Sequence, residues 1–383
     1  MAESTAVPAG AHLAQPARLV EPRAVTLLVP GDLALRTGGY GYDREIVAGL
    51  RKQGWRVDVV LLDGSFPSPT VAARAHAVHA LAALPDGTLV LADGLAFGVM
   101  AEEAAREAAR LRFVGLVHHP LADETGLDVE TTHAFAASER RALASTRGVV
   151  VTSHATARRL ADFGVSPSRV TVVMPGTAEA PAAQGTRGTS GADSDVAVAL
   201  LCVATLVPRK GHDVLFTALA RLRHLPWHLT CAGSLTLHPS TAAALQQQLH
   251  ALGLTERVSL VGDLDAAALA AAYDRSDIFV LATRHEGYGM AVAEAVARGL
   301  PVVSTATGAI PELVDSTSGA IVPMDDPEAL ADALEPLVAD DGARSRAMAG
   351  ARAKRATLPR WSESSQAMAQ ALTRCAGDGI VQR

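Results

Sequence analysis

Two glutamates, Glu286 and Glu294, stand eight residues apart in the stretch SDIFVLATRHEGYGMAVAEAVARGLPVVSTATGAIPELV, residues 276–314. The pair is divided by a Gly287-Tyr288-Gly289 turn followed by Met290 and an alanine-rich segment. A carboxylate on a loop and a second one on the helix behind it suit the hydroxyls of a sugar or a ribose. The apolar run Ile278–Leu281 leads into this loop, and a second run, residues 301–304, leads into Gly308-Ala309-Ile310-Pro311-Glu312. Each run reads as a strand whose turn opens a helix, so two helix N-termini face one crevice. Free N–H groups and the macrodipole make such termini phosphate sites. Phosphate donors beside hydroxyl acceptors describe a pocket for a nucleotide sugar.

A second group with phosphate chemistry is Val207-Pro208-Arg209-Lys210-Gly211. It follows the apolar run 198–203 and precedes a helical pattern. Arginine offers a planar fork to phosphate oxygens and lysine a point charge. Only three lysines occur among the 34 basic residues, and Lys210 is one of them. Gly38-Gly39 lies in the first strand-to-helix turn, where glycine permits close approach of backbone to a ligand. It is no G-x-G-x-x-G fingerprint, so a nicotinamide dinucleotide is poorly supported. His118-His119-Pro120 ends the strand 113–117, at the carboxyl edge where α/β folds bind ligands. Adjacent residues of extended backbone point opposite ways, so one histidine faces the cleft and a two-histidine metal site is disfavoured. Asp93, after the strand 89–91, and Glu124, in the turn Asp123-Glu124-Thr125-Gly126, are candidates for acceptor hydroxyls, although turn and capping roles suit both better.

The ordered string Ser276–Leu281, Glu286-Gly287-Tyr288-Gly289-Met290, Glu294, Gly299–Val303 and Gly308–Glu312 resembles the donor site of retaining glycosyltransferase family 4, with its E-x7-E motif. The resemblance implies the GT-B fold: an α/β molecule of two Rossmann-like, doubly wound parallel-sheet domains facing across a cleft. It implies a donor that is a nucleotide diphosphate sugar, UDP- or GDP-linked, with Glu294 on the ribose, and Glu286 with the backbone of Gly287, Tyr288, Gly289 and Met290 on the sugar. Arg209, Lys210 and Gly308 would hold the diphosphate, with Gly38 and Gly39 nearby from the opposite domain. His118 matches the family histidine and is the favoured one of its pair, with His119 beside it. Asp93 and Glu124 stay assigned to the acceptor side. No cofactor and no metal are expected, because fixed cations and helix dipoles do that work. One departure from the family pattern is Thr205, where an arginine is frequent; Arg209 supplies the missing charge. A non-catalytic nucleotide-sugar binder, and a GT-B isomerase or phosphorylase, remain the alternatives.

The elements that must position these residues are legible as an alternation. Strands are expected at residues 25–29, 57–61, 89–91, 113–117, 149–152 and 170–173, with helices at 43–53, 101–112 and 131–144 between them. A glycine turn is expected over Gly38, Gly39 and Gly41. Alternation of this kind implies a parallel, doubly wound sheet. Residues 178–195 are small, polar and patternless and read as an inter-domain linker. A second alternating series runs over 196–358. The helix beginning at Trp361, within 360–375, by resemblance crosses back onto the first domain, residues 23–177. Residues 1–22 read as a disordered tail without a signal-peptide core.

Composition sets the outer limits. A chain of 383 residues suits two domains, and 49% apolar with 4% aromatic residues suits Ala/Val/Leu-rich α/β layers. Net charge is −6, and neither half is basic, which argues against nucleic acid. No apolar run reaches the roughly 18 residues of a membrane helix, though peripheral contact with a membrane stays open. Cys202, Cys231 and Cys375 show no metal spacing and read as thiols of a reducing cytoplasm. Asp263-Leu264-Asp265 spells D-x-D, but Asp265 is better placed as a helix N-cap. Oligomeric state and acceptor identity are not encoded in these patterns.

Overall fold

The computed structural model describes residues 23–186 and 197–377. The tail expected at 1–22 lies outside the described residues, as do residues 187–195 of the expected linker.

Two six-stranded sheets carry the chain, every pairing parallel. The first uses β1 (Ala24–Pro30), β2 (Arg56–Leu62), β3 (Leu89–Asp93), β4 (Arg112–Val117), β5 (Gly148–Val151) and β6 (Val170–Val172), in the order β2-β1-β3-β4-β5-β6. The second uses β7 (Val198–Val203), β8 (Trp227–Ala232), β9 (Val258–Gly262), β10 (Ile278–Leu281), β11 (Val302–Thr305) and β12 (Gly319–Val322), in the order β12-β11-β10-β7-β8-β9. Helices cover both faces, so a central strand such as β10 is buried at every position. That burial is why the strands read as unbroken apolar runs rather than alternating ones. In each sheet the order reverses once, between β1 and β3 and between β7 and β10. Ligands of open α/β sheets collect at the carboxyl ends of strands flanking such a reversal. The two Rossmann-like halves of a GT-B fold therefore present their reversals to one cleft.

Several expected boundaries shift for identifiable reasons. The glycine turn is already helix: the helix runs Gly38–Lys52, with the Thr37 hydroxyl accepting from the Tyr40 amide at 3.4 Å. The helix expected over 101–112 stops at Glu107, because Arg112 starts β4 and pairs with Leu89. Arg110 instead donates to the Leu81 carbonyl at 2.7 Å and lies 2.5 Å from Glu107. The described part of the patternless segment, 178–186, packs on the second sheet's helices. The Ala183 amide donates to the Arg298 carbonyl and the Gly185 amide to that of Asp274, both at 2.8 Å. The last helix, Trp361–Ala376, lies against the Gly38–Lys52 helix, with Met368 and Leu372 in the core of the first sheet beside Val25, Leu27 and Ile46. The main chain returns at Thr177, whose amide and hydroxyl both donate to the Pro359 carbonyl, at 2.8 and 2.9 Å.

Candidate active site

The loop between β10 and the Met290–Ala297 helix lies against three backbones. The Glu286 carbonyl approaches Gly308 so closely that any Cβ there would collide with it, and Gly308 has φ +53°. Gly289 takes φ +95° with Ile310 against it, and the Gly287 Cα faces the His118 carbonyl across the cleft. Only glycine tolerates these positive angles without strain. Thr283 braces the loop from beneath, its hydroxyl 3.1 Å from the Arg209 carbonyl and 3.0 Å from that of His285.

The Pro208–Lys210 turn follows β7, directly across the sheet reversal from this loop. Lys210 Nζ pairs with Glu286 Oε1, and both side chains are largely buried. Burial pushes the Glu286 carboxyl up, but the Lys210 and Arg209 charges outweigh it and hold the group below its usual range. Arg209 donates from Nη1 to the His285 carbonyl at 3.0 Å and lies 3.0 Å, through Nε, from Glu124 Oε1 of the first domain. Glu124 loses something to burial, yet His119 and Arg209 draw it down to about 2. Glu294 stands eight residues past Glu286, with its Oε2 3.0 Å from the Tyr273 hydroxyl, and burial raises its pKa.

Helix ends sharpen the picture. Of the helices that start elsewhere, several carry side-chain caps, Thr70, Asp128, Asp265, Asp326 and Asp340 each accepting an amide of the first turn, while Ala101–Glu107 has none. The helices His212–Arg221, Met290–Ala297 and Ile310–Leu313, which open beside the Lys210–Glu286 pair, have no side-chain cap. At the Ile310–Leu313 turn the Ile310 and Glu312 amides already donate to the Thr307 and Ala309 carbonyls, and Pro311 has no N–H. The leading N–H groups of the other two are donors of a helix start that an anion can meet.

On the first domain, the two histidines separate as extended backbone requires. His118, the one favoured to face the cleft, turns its Nε2 edge into its own domain, 3.5 Å from Asp43 Oδ1 and 3.5 Å from Asp93 Oδ2. His119 turns across the cleft, 3.5 Å from Glu124 Oε2 and 5.1 Å, ring to ring, from His285. Asp93 is only 3% exposed and caps Leu95 through a 2.7 Å bond, so its carboxylate faces His118 rather than the open cleft. That is the capping role that suited Asp93 from its sequence position, with its second oxygen toward His118. Glu124 is likewise engaged, by Arg209 and His119. Gly38 and Gly39 sit in the first helical turn, where Met290 Sδ and the His118 ring pack against them. Met290 meets the first domain with its side chain, beyond the backbone contact expected of it. Tyr288 is buried, and burial raises its phenol.

Four groups near the site escaped the sequence. Arg284 binds Asp213 at 2.7 Å and Asp325 at 2.7 Å and donates to the Pro208 carbonyl at 2.6 Å, tying the phosphate turn to the loop. His285, pressed by burial, His119 and Arg209, falls to about 4 and is therefore neutral. Asp43 lies inside a helical pattern without a motif. Cys202 and Cys231 are opposed on β7 and β8, with His212 Nε2 3.8 Å from Cys202 Sγ. This buried thiol–imidazole group has soft-metal donor chemistry, and only strand register reveals it. Asp43, Asp93 and His118 also converge, bringing one ring nitrogen and two carboxylate oxygens within 4.8 Å of one another.

Residues 42–179 match the family described as Glycosyltransferase Family 4, and residues 197–340 match Glycosyl transferases group 1. A D-inositol 3-phosphate glycosyltransferase of Xylanimonas cellulosilytica is 37% identical over 42% of this chain, and one of Kineococcus radiotolerans is 31% identical over 64%. The aligned stretches span 38% and 61% of those relatives' own lengths. Among solved structures, sucrose-phosphate synthase from Thermosynechococcus elongatus superposes with TM-score 0.78 at 19% identity, covering 92% of this chain and 98% of that one. Anabaena HepE in complex with UDP and glucose gives 0.71 at 18%, covering 91% and 99%. These structures share the GT-B fold, and each sheet carries its own glycosyltransferase family match, so the chain is similar to family 4 glycosyltransferases along both halves.

Proposed function

We propose that this protein is a retaining glycosyltransferase that moves a sugar from a nucleotide diphosphate sugar to an acceptor nucleophile, without a metal ion. The observation that carries the reading is the Lys210–Glu286 pair beside Arg209, set at the β7/β10 reversal among three uncapped helix starts. The donor diphosphate meets Arg209, Lys210 and the leading N–H groups of the His212–Arg221 and Met290–Ala297 helices, and the cationic side chains neutralise the charge that grows as it departs. Preorganised charge of this kind is commonly the largest catalytic term. Glu286 and the Gly287–Met290 backbone orient the transferred sugar. Glu294 accepts from the ribose hydroxyls, taking the place of the Tyr273 hydroxyl. His118 lines the opposite side of the sugar.

The acceptor enters from the first domain and attacks on the face that the diphosphate leaves, with a phosphate oxygen taking its proton. His119, Glu124 and His285 border that entry. Cross-cleft contacts exclude water and limit hydrolysis of the donor. HepE carries UDP and glucose in its structure, which makes uracil the first base to try; guanine is the second. NMR of the product tests the reading: retention of anomeric configuration, unchanged by a chelator, is expected. Inversion, or loss of transfer on chelation, contradicts it.

A further inference from the structure

Asp43 lies in the second turn of the Gly38–Lys52 helix, 1% exposed, and neither carboxylate oxygen has a hydrogen-bond partner. Burying an unsatisfied carboxylate is costly, and nothing about packing at this helical position demands an acid. Its neighbour in space is His118, whose Nε2 is also buried without a hydrogen bond. Asp43 Oδ1 and Asp93 Oδ2 each lie 3.5 Å from that same nitrogen. These are ion-pair separations, slightly longer than a hydrogen bond. Other groups packed here do not compete: Arg44 turns outward to the Leu33 and Leu35 carbonyls, Tyr40 donates to Pro30 and Tyr42 to Val173. The second domain brings the Gly287 backbone to the His118 carbonyl and the Met290 side chain to Gly38 and Gly41.

We propose that Asp43 is a positioning residue that, with Asp93, holds His118 as an imidazolium, its Nε2–H turned into the domain and its Nδ1–H left for a ligand in the cleft. The role rests on the glycosyltransferase reading above. Two carboxylates converging on one nitrogen require a proton between them, since a lone pair would face two negative charges. Burial raises the Asp43 carboxyl, but the imidazole is the stronger base and takes the proton. With Nε2 buried, any polar contact to the cleft falls to Nδ1, which in the imidazolium is a donor. His118 is then a fixed hydrogen-bond donor to the sugar and no general base, which leaves that task to the departing phosphate. The three groups together carry a net charge of −1, so they favour positive charge developing on the sugar beside them. Burial pulls the imidazole down, but the two carboxylates outweigh it and lift it to about 10. The cost of the buried acid is retained because the site needs it, the usual direction of a stability–activity conflict.

The test reads His118 directly by nitrogen NMR of histidine-labelled protein, with Asp43→Asn and Asp43→Glu alongside and His118→Asn to assign the signal. In the wild type, both ring nitrogens of His118 should remain protonated at pH 8. Asp43→Asn should melt at the same or a higher temperature, yet His118 should lose its proton between about pH 6 and 8. Its kcat should fall roughly tenfold or more, with the donor KM nearly unchanged and a new alkaline limb in the pH profile. Asp43→Glu should recover part of the loss. A neutral His118 in active wild-type enzyme overturns the proposal and spares the reaction, and so does Asp43→Asn with wild-type kcat and pH profile. An imidazolium in a protein that transfers no sugar removes the reaction instead. Manganese binding that broadens the His118 signal, abolished by Asp43→Asn, also overturns the proposal.

Discussion

Lys210 and Glu286 lie 76 residues apart and meet as one largely buried ion pair. Breaking such a pair from one side leaves an uncompensated charge, which costs more than the pair contributes when intact. Lys210→Ala should therefore lower stability by about 2–3 kcal/mol and abolish detectable transfer. Adding Glu286→Gln should restore most of the stability in chemical denaturation but none of the turnover. If both properties recover together, the pair is structural only. The sign of the pH effect follows from the depressed Glu286 carboxyl. Its contribution is present above the ordinary glutamate value and is lost as pH falls through the lower folded value. Glu139 has the opposite sign. It is buried beneath Leu121, whose amide it accepts at 3.0 Å, and burial lifts it to about 8. Between about 4.5 and 8 the folded state holds the extra proton, so stability falls as pH rises, by at most about 1.4 kcal/mol per pH unit. Glu139→Gln should melt with the wild type near pH 5 and above it at pH 8; equal melting at both would refute this.

At the scale of elements, the glycines decide where loops can approach one another. Gly308→Ala places a Cβ against the Glu286 carbonyl at φ +53°, a strain of about 1–2 kcal/mol before the collision is counted. The Glu286 loop must move, so nucleotide-induced stabilisation should disappear while the circular-dichroism spectrum persists. Leu372→Ala should cost about 2–5 kcal/mol by opening a cavity between the last helix and the first sheet. A small change in melting temperature would mean that helix is dispensable. Much of this layout was legible in sequence, because doubly buried parallel strands are apolar runs and the E-x7-E string fixes a loop and its helix. The start of the Gly38–Lys52 helix was hidden, since glycines argue for a turn while the deciding factor is a Thr37 cap. Asp43 was hidden because an acid near a helix start looks like ordinary helix-dipole complementarity. Its significance comes from β3 and β4, 50 and more residues away. Arg284 and His285 were passed over as loop polars, since their partners belong to other elements. The Cys202–Cys231 opposition needed the β7/β8 register, which no composition reveals.

Across the whole molecule, the two domains touch through Glu124 with Arg209, His119 with His285, Arg158 with Glu312, and Met290 with the Gly38–Gly41 turn. These contacts differ in weight. Arg158 is 71% exposed, so its bridge is worth little, and Arg158→Ala should leave both scattering profile and activity unchanged. Glu124 is half-buried and pairs with the arginine assigned to the diphosphate. Glu124→Ala should loosen the closed arrangement, seen as a larger radius of gyration without nucleotide that contracts when nucleotide is added. No helix among the described residues is long and apolar enough to cross a membrane. The central claim is that a nucleoside diphosphate binds in the cleft between the domains on fixed protein charges. Thermal stabilisation by UDP and GDP, with magnesium and with a chelator, on the wild type and Lys210→Ala, tests it most directly. One nucleotide should raise the melting temperature equally in both conditions, and Lys210→Ala should abolish the shift. A shift that requires magnesium, or one that survives intact in Lys210→Ala, would contradict the claim.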